Sequence, residues 1–288
     1  MNLKDDELVL VDGSGYIFRA YYALPPMFRS DGFPVNAVFG FTNMLLKLID
    51  EIQIEKGGNV SIAIIFDAAR ETFRNNIYPE YKANRSDPPD DLKPQFDIIK
   101  KVPQAFNLKS IESKGFEADD LIASYAKKGK AEGKKITIIS SDKDLMQLLD
   151  SGISMIDPLK KKEISIENVI DKFGVGPDKV IEVQALAGDS SDNVPGVPGI
   201  GPKIAAQLIK DFGNIENLIK NVEKIKQDKR RQSIESNRDL LLISKKLVTL
   251  KDDVDLPIKI SELSFNPLKI EKLINFLDEM EFNRIKSL

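Results

Sequence analysis

The chain has 288 residues, 42% of them apolar and 30% charged, with a formal net charge of −3. That supplies one large domain, or a core domain with a smaller appendage, under a well-solvated surface. Neither cysteine nor histidine occurs, which removes disulfides, thiolate sites, histidine bases and histidine-ligated zinc. Any metal must then be held by oxygen, which favours a hard ion such as Mg²⁺ or Mn²⁺.

The opening stretch, MNLKDDELVLVDG, carries acids ahead of a short apolar run, unlike a signal peptide. No apolar run reaches membrane-spanning length, so a soluble cytoplasmic protein is expected. Three runs read as buried parallel strands of an α/β fold: LVLV (Leu8 to Val11), SIAIIF (Ser61 to Phe66) and ITIIS (Ile136 to Ser140). Each is short, rich in β-branched residues and followed by a helical pattern. Each also ends at an acid: Asp12, Asp67, and Asp142 after one further serine. The carboxyl ends of parallel strands form the functional crevice of open sheets, so three aspartates are expected at one edge. Between the first two strands, Val35, Val38, Phe39, Thr42, Leu45, Leu46 and Ile49 outline an amphipathic helix, and Gly57-Gly58 marks a turn.

Arg70 to Pro103 contains Pro79, Pro88, Pro89, Pro94 and Pro103, which exclude one continuous helix. Arg70, Arg74, Lys82, Arg85 and Lys93 alternate there with Phe73, Tyr78, Tyr81 and Phe96. A solvated excursion explains such a segment; so does a channel for single-stranded nucleic acid, with cations on phosphates and aromatics on bases. It is expected to order on a partner. In GFEADDLIASYA (Gly115 to Ala126), Glu117, Asp119 and Asp120 open a helix marked by Leu121, Ile122 and Tyr125. Helix capping and the dipole account for acids at that position; their company with the strand-end aspartates argues for a shared site.

SSDKDLMQLL brings Asp142, a possible N-cap, and Asp144. Short strands are predicted at Ile153 to Ile156 and Glu163 to Ile166, around a turn with Lys160, Lys161 and Lys162. From Glu167 the pattern changes to short helices, one of them Pro177 to Ala187. GDSSDNVPGVPGIGPKIAAQLI (Gly188 to Ile209) carries Asp189 and Asp192, then a Gly-Pro hairpin that opens a helix and presents backbone N–H groups to phosphate. Lys224, Lys226, Lys229, Arg230 and Arg231 read as a solvated helix face, with phosphate contact as the alternative. Leu268 to Phe282 is predicted to be a closing amphipathic helix. Net charge does not exclude nucleic acid: without Asp12, Asp67, Glu117, Asp119, Asp120, Asp142, Asp144, Asp189 and Asp192 the chain is net positive.

In this order, VDGSGYIFRAYYA, FRNNIYPEYKANR, GFEADDLIA, SSDKDLMQLL and GDSSDNVPGVPGIGPK resemble the 5′-nuclease family, most of all the N-terminal 5′→3′ exonuclease domain of bacterial DNA polymerase I. The likeness covers almost the whole chain. It implies a mostly parallel sheet flanked by helices, of the PIN-like resolvase type, over residues 1–166, with an arch near 70–103. A helical DNA-binding region over 167–288 would carry a helix-hairpin-helix element near 188–212. The resemblance implies a metal site of Asp12, Asp67, Glu117, Asp119, Asp120, Asp142, Asp144, Asp189 and Asp192, all acidic here. So many carboxylates can share a site when divalent cations neutralise them. The implied cofactors are two or more Mg²⁺ ions, with Mn²⁺ as substitute, and a K⁺ ion at the hairpin. Arg74 would meet the scissile phosphate, with Asp67 and Asp119 completing the catalytic group. Arg70, Tyr81, Lys82 and Arg85 would guide the 5′ strand, and Gly196, Gly199, Gly201 and Lys203 would grip duplex. Family hairpins often carry threonine after that lysine; Ile204 stands here and lacks its hydroxyl.

The expected activity is metal-dependent 5′→3′ exonuclease and 5′-flap endonuclease action on DNA and RNA–DNA junctions, for primer removal and repair. The expected partners are nicked, flapped or free 5′ DNA ends, RNA primer ends and a DNA polymerase, met by a monomer at the nucleoid. The likeness ends at Leu288, where polymerase I members continue, so no polymerase activity is expected of these residues. The rivals are a non-catalytic DNA-structure binder and a small-phosphoester phosphatase with Asp12 as nucleophile. The first predicts lost acids, and none is lost. The second calls for Asp two residues after Asp12, where Ser14 stands.

Overall fold

The computed structural model describes residues 6–56, 60–158, 160–266 and 268–286. The turn expected at Gly57-Gly58 lies outside them. The chain divides into two compact units, interleaved along the sequence.

The first unit comprises Met1–Ala68, Asp87–Ser141 and Asp252–Leu288. Its strands are β1 (Glu7–Asp12), β2 (Val60–Ile65), β3 (Lys109–Ile111) and β4 (Lys135–Ile139), ordered β3-β2-β1-β4. β1 pairs parallel with both β2 and β4, placing Val9 opposite Ile62 and Thr137. Leu8, Val9, Leu10, Ile62, Ile64 and Ile138 are almost wholly buried, which is why these strands read as continuous apolar runs rather than alternating ones. The helices Gly13–Ala23, Asn36–Lys56 and Ala118–Ala131 follow β1, precede β2 and precede β4. Val38, Phe41, Leu45, Ile49 and Ile52 pack on β1 and β2 in one apolar cluster. The C-terminal helix is shorter than predicted, spanning Ile270–Glu279. Glu281 takes φ +60 and the Phe282 N–H returns to the Leu277 carbonyl at 2.8 Å, a turn that closes the helix.

The second unit comprises Ala69–Ser86 and Asp142–Lys251. It holds an antiparallel pair, β5 (Ile153–Asp157) and β6 (Lys162–Ile164), and short helices. β6 ends earlier than expected because Ser165 caps the helix Ile166–Phe173, its Oγ accepting from the Asn168 N–H. The single helix expected from Pro177 splits into a 3₁₀ turn, Pro177–Lys179, and the helix Val180–Ala187. The proline-rich stretch contributes the helix Phe73–Ile77 to this unit and three short turns between Lys93 and Ala105 to the first.

Candidate functional site

In the first unit the acids gather at the carboxyl edge of the sheet. Asp12 ends β1 and caps the helix Gly13–Ala23; it accepts from the Gly15 N–H at 2.9 Å and the Ser140 hydroxyl at 2.8 Å. Asp67 follows β2 in an exposed loop. Its N–H donates to Ser14 Oγ at 2.9 Å, and its Oδ1 accepts from the Ala118 N–H at 2.8 Å. The second bond ties the strand end to the first turn of the helix that carries Asp119 and Asp120. Glu117 precedes that helix, and its N–H donates to Asp120 Oδ2 at 3.0 Å. Glu117 and Asp120 are buried and Asp119 half-buried. Asp12, Asp67, Glu117 and Asp120 are thus linked by short bonds to one another or to immediate neighbours.

Asp142, Asp144, Asp189 and Asp192 belong to the second unit. The Asp144 N–H donates to Asp142 Oδ1 at 2.9 Å, and Gln184 Nε2 donates to Asp144 Oδ1 at 2.6 Å. Burial, and then the Asp142 charge, push the Asp144 pKa up to about 7. Asp189 is buried and takes the Ser191 N–H and hydroxyl on Oδ1, with Lys143 in ion-pair contact. Burial works to raise its pKa, but the Lys143 and Ser191 bonds prevail and lower it. For Lys143 burial opposes the charge, yet the bond to Asp189 wins and its pKa rises.

Asp192 is the anchor of the basic-aromatic segment. Tyr81 OH donates to its Oδ2 at 3.2 Å, Arg85 Nη2 to its Oδ1 at 2.5 Å, and Lys82 Nζ lies 3.5 Å from Oδ2. Asn84 reaches the Ser190 carbonyl and Asn193 the Glu80 carbonyl. Arg70 donates to the Arg85 carbonyl. Tyr81 is 5% exposed, so its ring is packed rather than presented. Arg74 is 1% exposed; it donates to the carbonyls of Leu247 (2.8 Å) and Thr249 (3.2 Å) and lies 4.6 Å over the Phe73 ring.

In the hairpin, Gly196 takes φ +62, and a Cβ there would fall 2.4 Å from the Gly188 nitrogen. Gly199, Gly201 and Lys203 are exposed ahead of and at the start of the helix Pro202–Phe212, whose first turn offers N–H groups. Ser233, on the basic helix Asp228–Ser236, donates to the Pro198 carbonyl at 2.6 Å. That bond sets the second basic cluster against the hairpin. Sequence reasoning did not pick out Ser14, Lys143 or Gln184, although the first two sit inside the acidic motifs; Gln184 carried no signal of its own.

The donor set suits a hard divalent ion: every candidate is a carboxylate, and burial with the neighbouring Asp142 charge raises the Asp144 pKa to about 7. Among the described residues no three acidic side chains converge closely enough to hold an ion. Oxygens of Asp12, Asp67, Asp142, Asp144, Asp189 and Asp192 are instead taken by protein donors. Binding an ion would draw on the remaining oxygens and on side-chain rotation.

Residues 7–174 match the family described as 5′-3′ exonuclease, N-terminal resolvase-like domain, and residues 175–271 its C-terminal SAM fold. DNA polymerase I of Rhizobium leguminosarum is 50% identical over 285 residues, 98% of this chain; the chain spans 28% of that protein. The 5′-3′ exonuclease of Aquifex aeolicus is 39% identical, with 96% of this chain and 93% of that protein covered. T5 5′-exonuclease with bound zinc ions shares the fold at a TM-score of 0.70 and 23% identity, covering 95% of this chain and 98% of that one. With residues 7–174 and 175–271 matched to the two parts of one family, the chain belongs to the 5′-3′ exonuclease family.

Proposed function

We propose that this chain is a metal-dependent phosphodiesterase that cuts DNA from a 5′ end, as exonuclease and as flap endonuclease. The observation that carries the reading is that all nine acids stand in a chain whose residues 7–271 match both parts of the exonuclease family. Mg²⁺, with Mn²⁺ as substitute, would be held in the first unit by Asp12, Asp67, Glu117, Asp119 and Asp120, and in the second by Asp142, Asp144, Asp189 and Asp192. Two ions so bound would activate water and stabilise the leaving oxygen in an in-line displacement.

The residues do the rest. Asp67, fixed by Ser14 and Ala118, offers a preset carboxylate, and preset groups lower the cost of reaching the transition state. Lys82 and Arg85, held by Asp192, supply charge along the path of the 5′ strand. Gly199, Gly201 and Lys203, with K⁺ at the hairpin and the adjoining basic helix, take duplex phosphates irrespective of base. DNA shape and a free 5′ end then set specificity. Flaps, nicks and RNA primer ends are the substrates of this reading, at the nucleoid beside a DNA polymerase.

A 5′-end-labelled flap duplex tests it, with Mg²⁺ or EDTA, for wild type and Asp119→Ala. Short labelled products that need Mg²⁺ and vanish in the variant support it. A wild type that binds the flap yet never cuts with Mg²⁺ or Mn²⁺ is a DNA-structure binder instead.

A further inference from the structure

Asp67 lies just past the last ladder bond of its strand, where the Phe66 N–H meets the Ile111 carbonyl at 2.8 Å. Beyond that point side chains hold the backbone. Ser14 accepts the Asp67 N–H, and Lys100 Nζ donates to the Asp67 carbonyl at 2.9 Å. Ser14 belongs to the motif around Asp12; Lys100 belongs to none of the acidic motifs. It follows the helix Phe96–Ile99 and is tethered by a second bond to the carboxylate of Glu112, one residue after β3. The Lys100 side chain is 25% exposed and that of Glu112 47%.

We propose that Lys100 is a positioning residue for Asp67, acting on divalent-ion binding through the main chain. A loop carboxylate that must meet an ion loses conformational freedom on binding, and prior fixing of its backbone removes part of that cost. The geometry suits the task. The ammonium donates to a carbonyl and to Glu112, so it orders the loop without occupying the Asp67 carboxylate. The inference rests on the reading of Asp67 as a metal ligand.

The test titrates the metal-free full chain with Mn²⁺, following free Mn²⁺ by electron paramagnetic resonance, and measures flap affinity in EDTA. Lys100→Met weakens Mn²⁺ binding about tenfold, as loss of an outer partner does. It raises the Mg²⁺ concentration for half-maximal cutting in step, while the rate at saturating Mg²⁺ and the EDTA flap affinity stay within about twofold. Lys100→Arg, which keeps two donors, restores Mn²⁺ binding in part. Wild-type Mn²⁺ affinity in Lys100→Met overturns the proposal. So does weakened flap binding with unchanged Mn²⁺ affinity, which would make Lys100 a phosphate contact. If Lys100→Met does not fold, Glu112→Gln decides: weakened Mn²⁺ binding supports the proposal and wild-type binding overturns it. A wild type that neither binds Mn²⁺ nor cuts fails the nuclease reading itself and carries this inference down with it. A wild type that does both, beside an unchanged Lys100→Met, fails the inference alone.

Discussion

Arg74 donates its Nε–H to the carbonyl of Leu247 across 2.8 Å, at the C-terminal end of the helix Arg238–Val248. The last carbonyls of a helix lack internal partners and carry partial negative charge. Arg74 takes those of Leu247 and Thr249, and Gln147 takes that of Val248 at 3.0 Å. A buried guanidinium in this role is a strut. Arg74→Ala is therefore expected to destabilise the protein by roughly 2–4 kcal/mol, with Arg74→Lys only a partial remedy because it loses the fork. Urea denaturation in EDTA reads this directly. Unchanged stability with lost cleavage would make Arg74 a phosphate contact alone.

Asp67→Asn keeps an acceptor for the Ala118 N–H while removing the charge. Stability should hold within about 1 kcal/mol, since the bond survives. Flap cleavage in Mg²⁺ should fall by a factor of at least about 10², the scale of losing one preset electrostatic group. Wild-type cleavage by this variant would remove Asp67 from the metal site.

Without metal, stability should depend on pH through Asp144. Its folded pKa is raised to about 7 by burial and Asp142, above the unfolded value near 3.9. Its contribution is thus fully present below about pH 4 and is lost as pH rises through 7. Asp144→Asn should flatten that fall and leave the metal-free protein more stable than wild type at pH 8, by roughly 1–3 kcal/mol. Urea midpoints in EDTA from pH 5 to 8 check the slope; saturating Mg²⁺ should reduce it in wild type.

Two hairpin glycines should respond differently to alanine. At Gly196 the φ of +62 coincides with a Cβ position 2.4 Å from the Gly188 nitrogen, backbone that cannot yield without moving the turn. At Gly199 the φ is +79, but a Cβ meets nothing within 4 Å. Gly199→Ala should cost about 1 kcal/mol, and Gly196→Ala upwards of about 3. Equal losses in thermal denaturation would contradict the packing seen here.

Lys203 and Lys229 are both exposed, the latter one turn before Ser233, which bonds Pro198. Replacing either by alanine should reduce the slope of log affinity against log salt for duplex by about 1. A slope unchanged by Lys229→Ala would return the basic helix to a solvated role.

The sequence alone determined β1, β2 and β4, because a parallel strand buried on both faces is a continuous apolar run rich in β-branched residues; Leu8 to Val11 and Ile136 to Ile139 announce that without help. It also located the acids at strand ends and at the start of the helix Ala118–Ala131, since those positions follow from chain order once the elements are known. It did not disclose β3 (Lys109–Ile111), a three-residue strand of which only Ile111 is buried. It could not show which partner each polar group would take. Asp192 stands 107 residues from Arg85 and Leu247 stands 173 from Arg74, and no local period spans such distances. Tertiary structure decided that Asp192 binds Tyr81 and Arg85, and that Arg74 closes a helix end. It also decided that Lys100 reaches the Asp67 carbonyl. Hydrogen-bond partners are settled by which groups folding buries together, and burial couples residues that the chain keeps far apart.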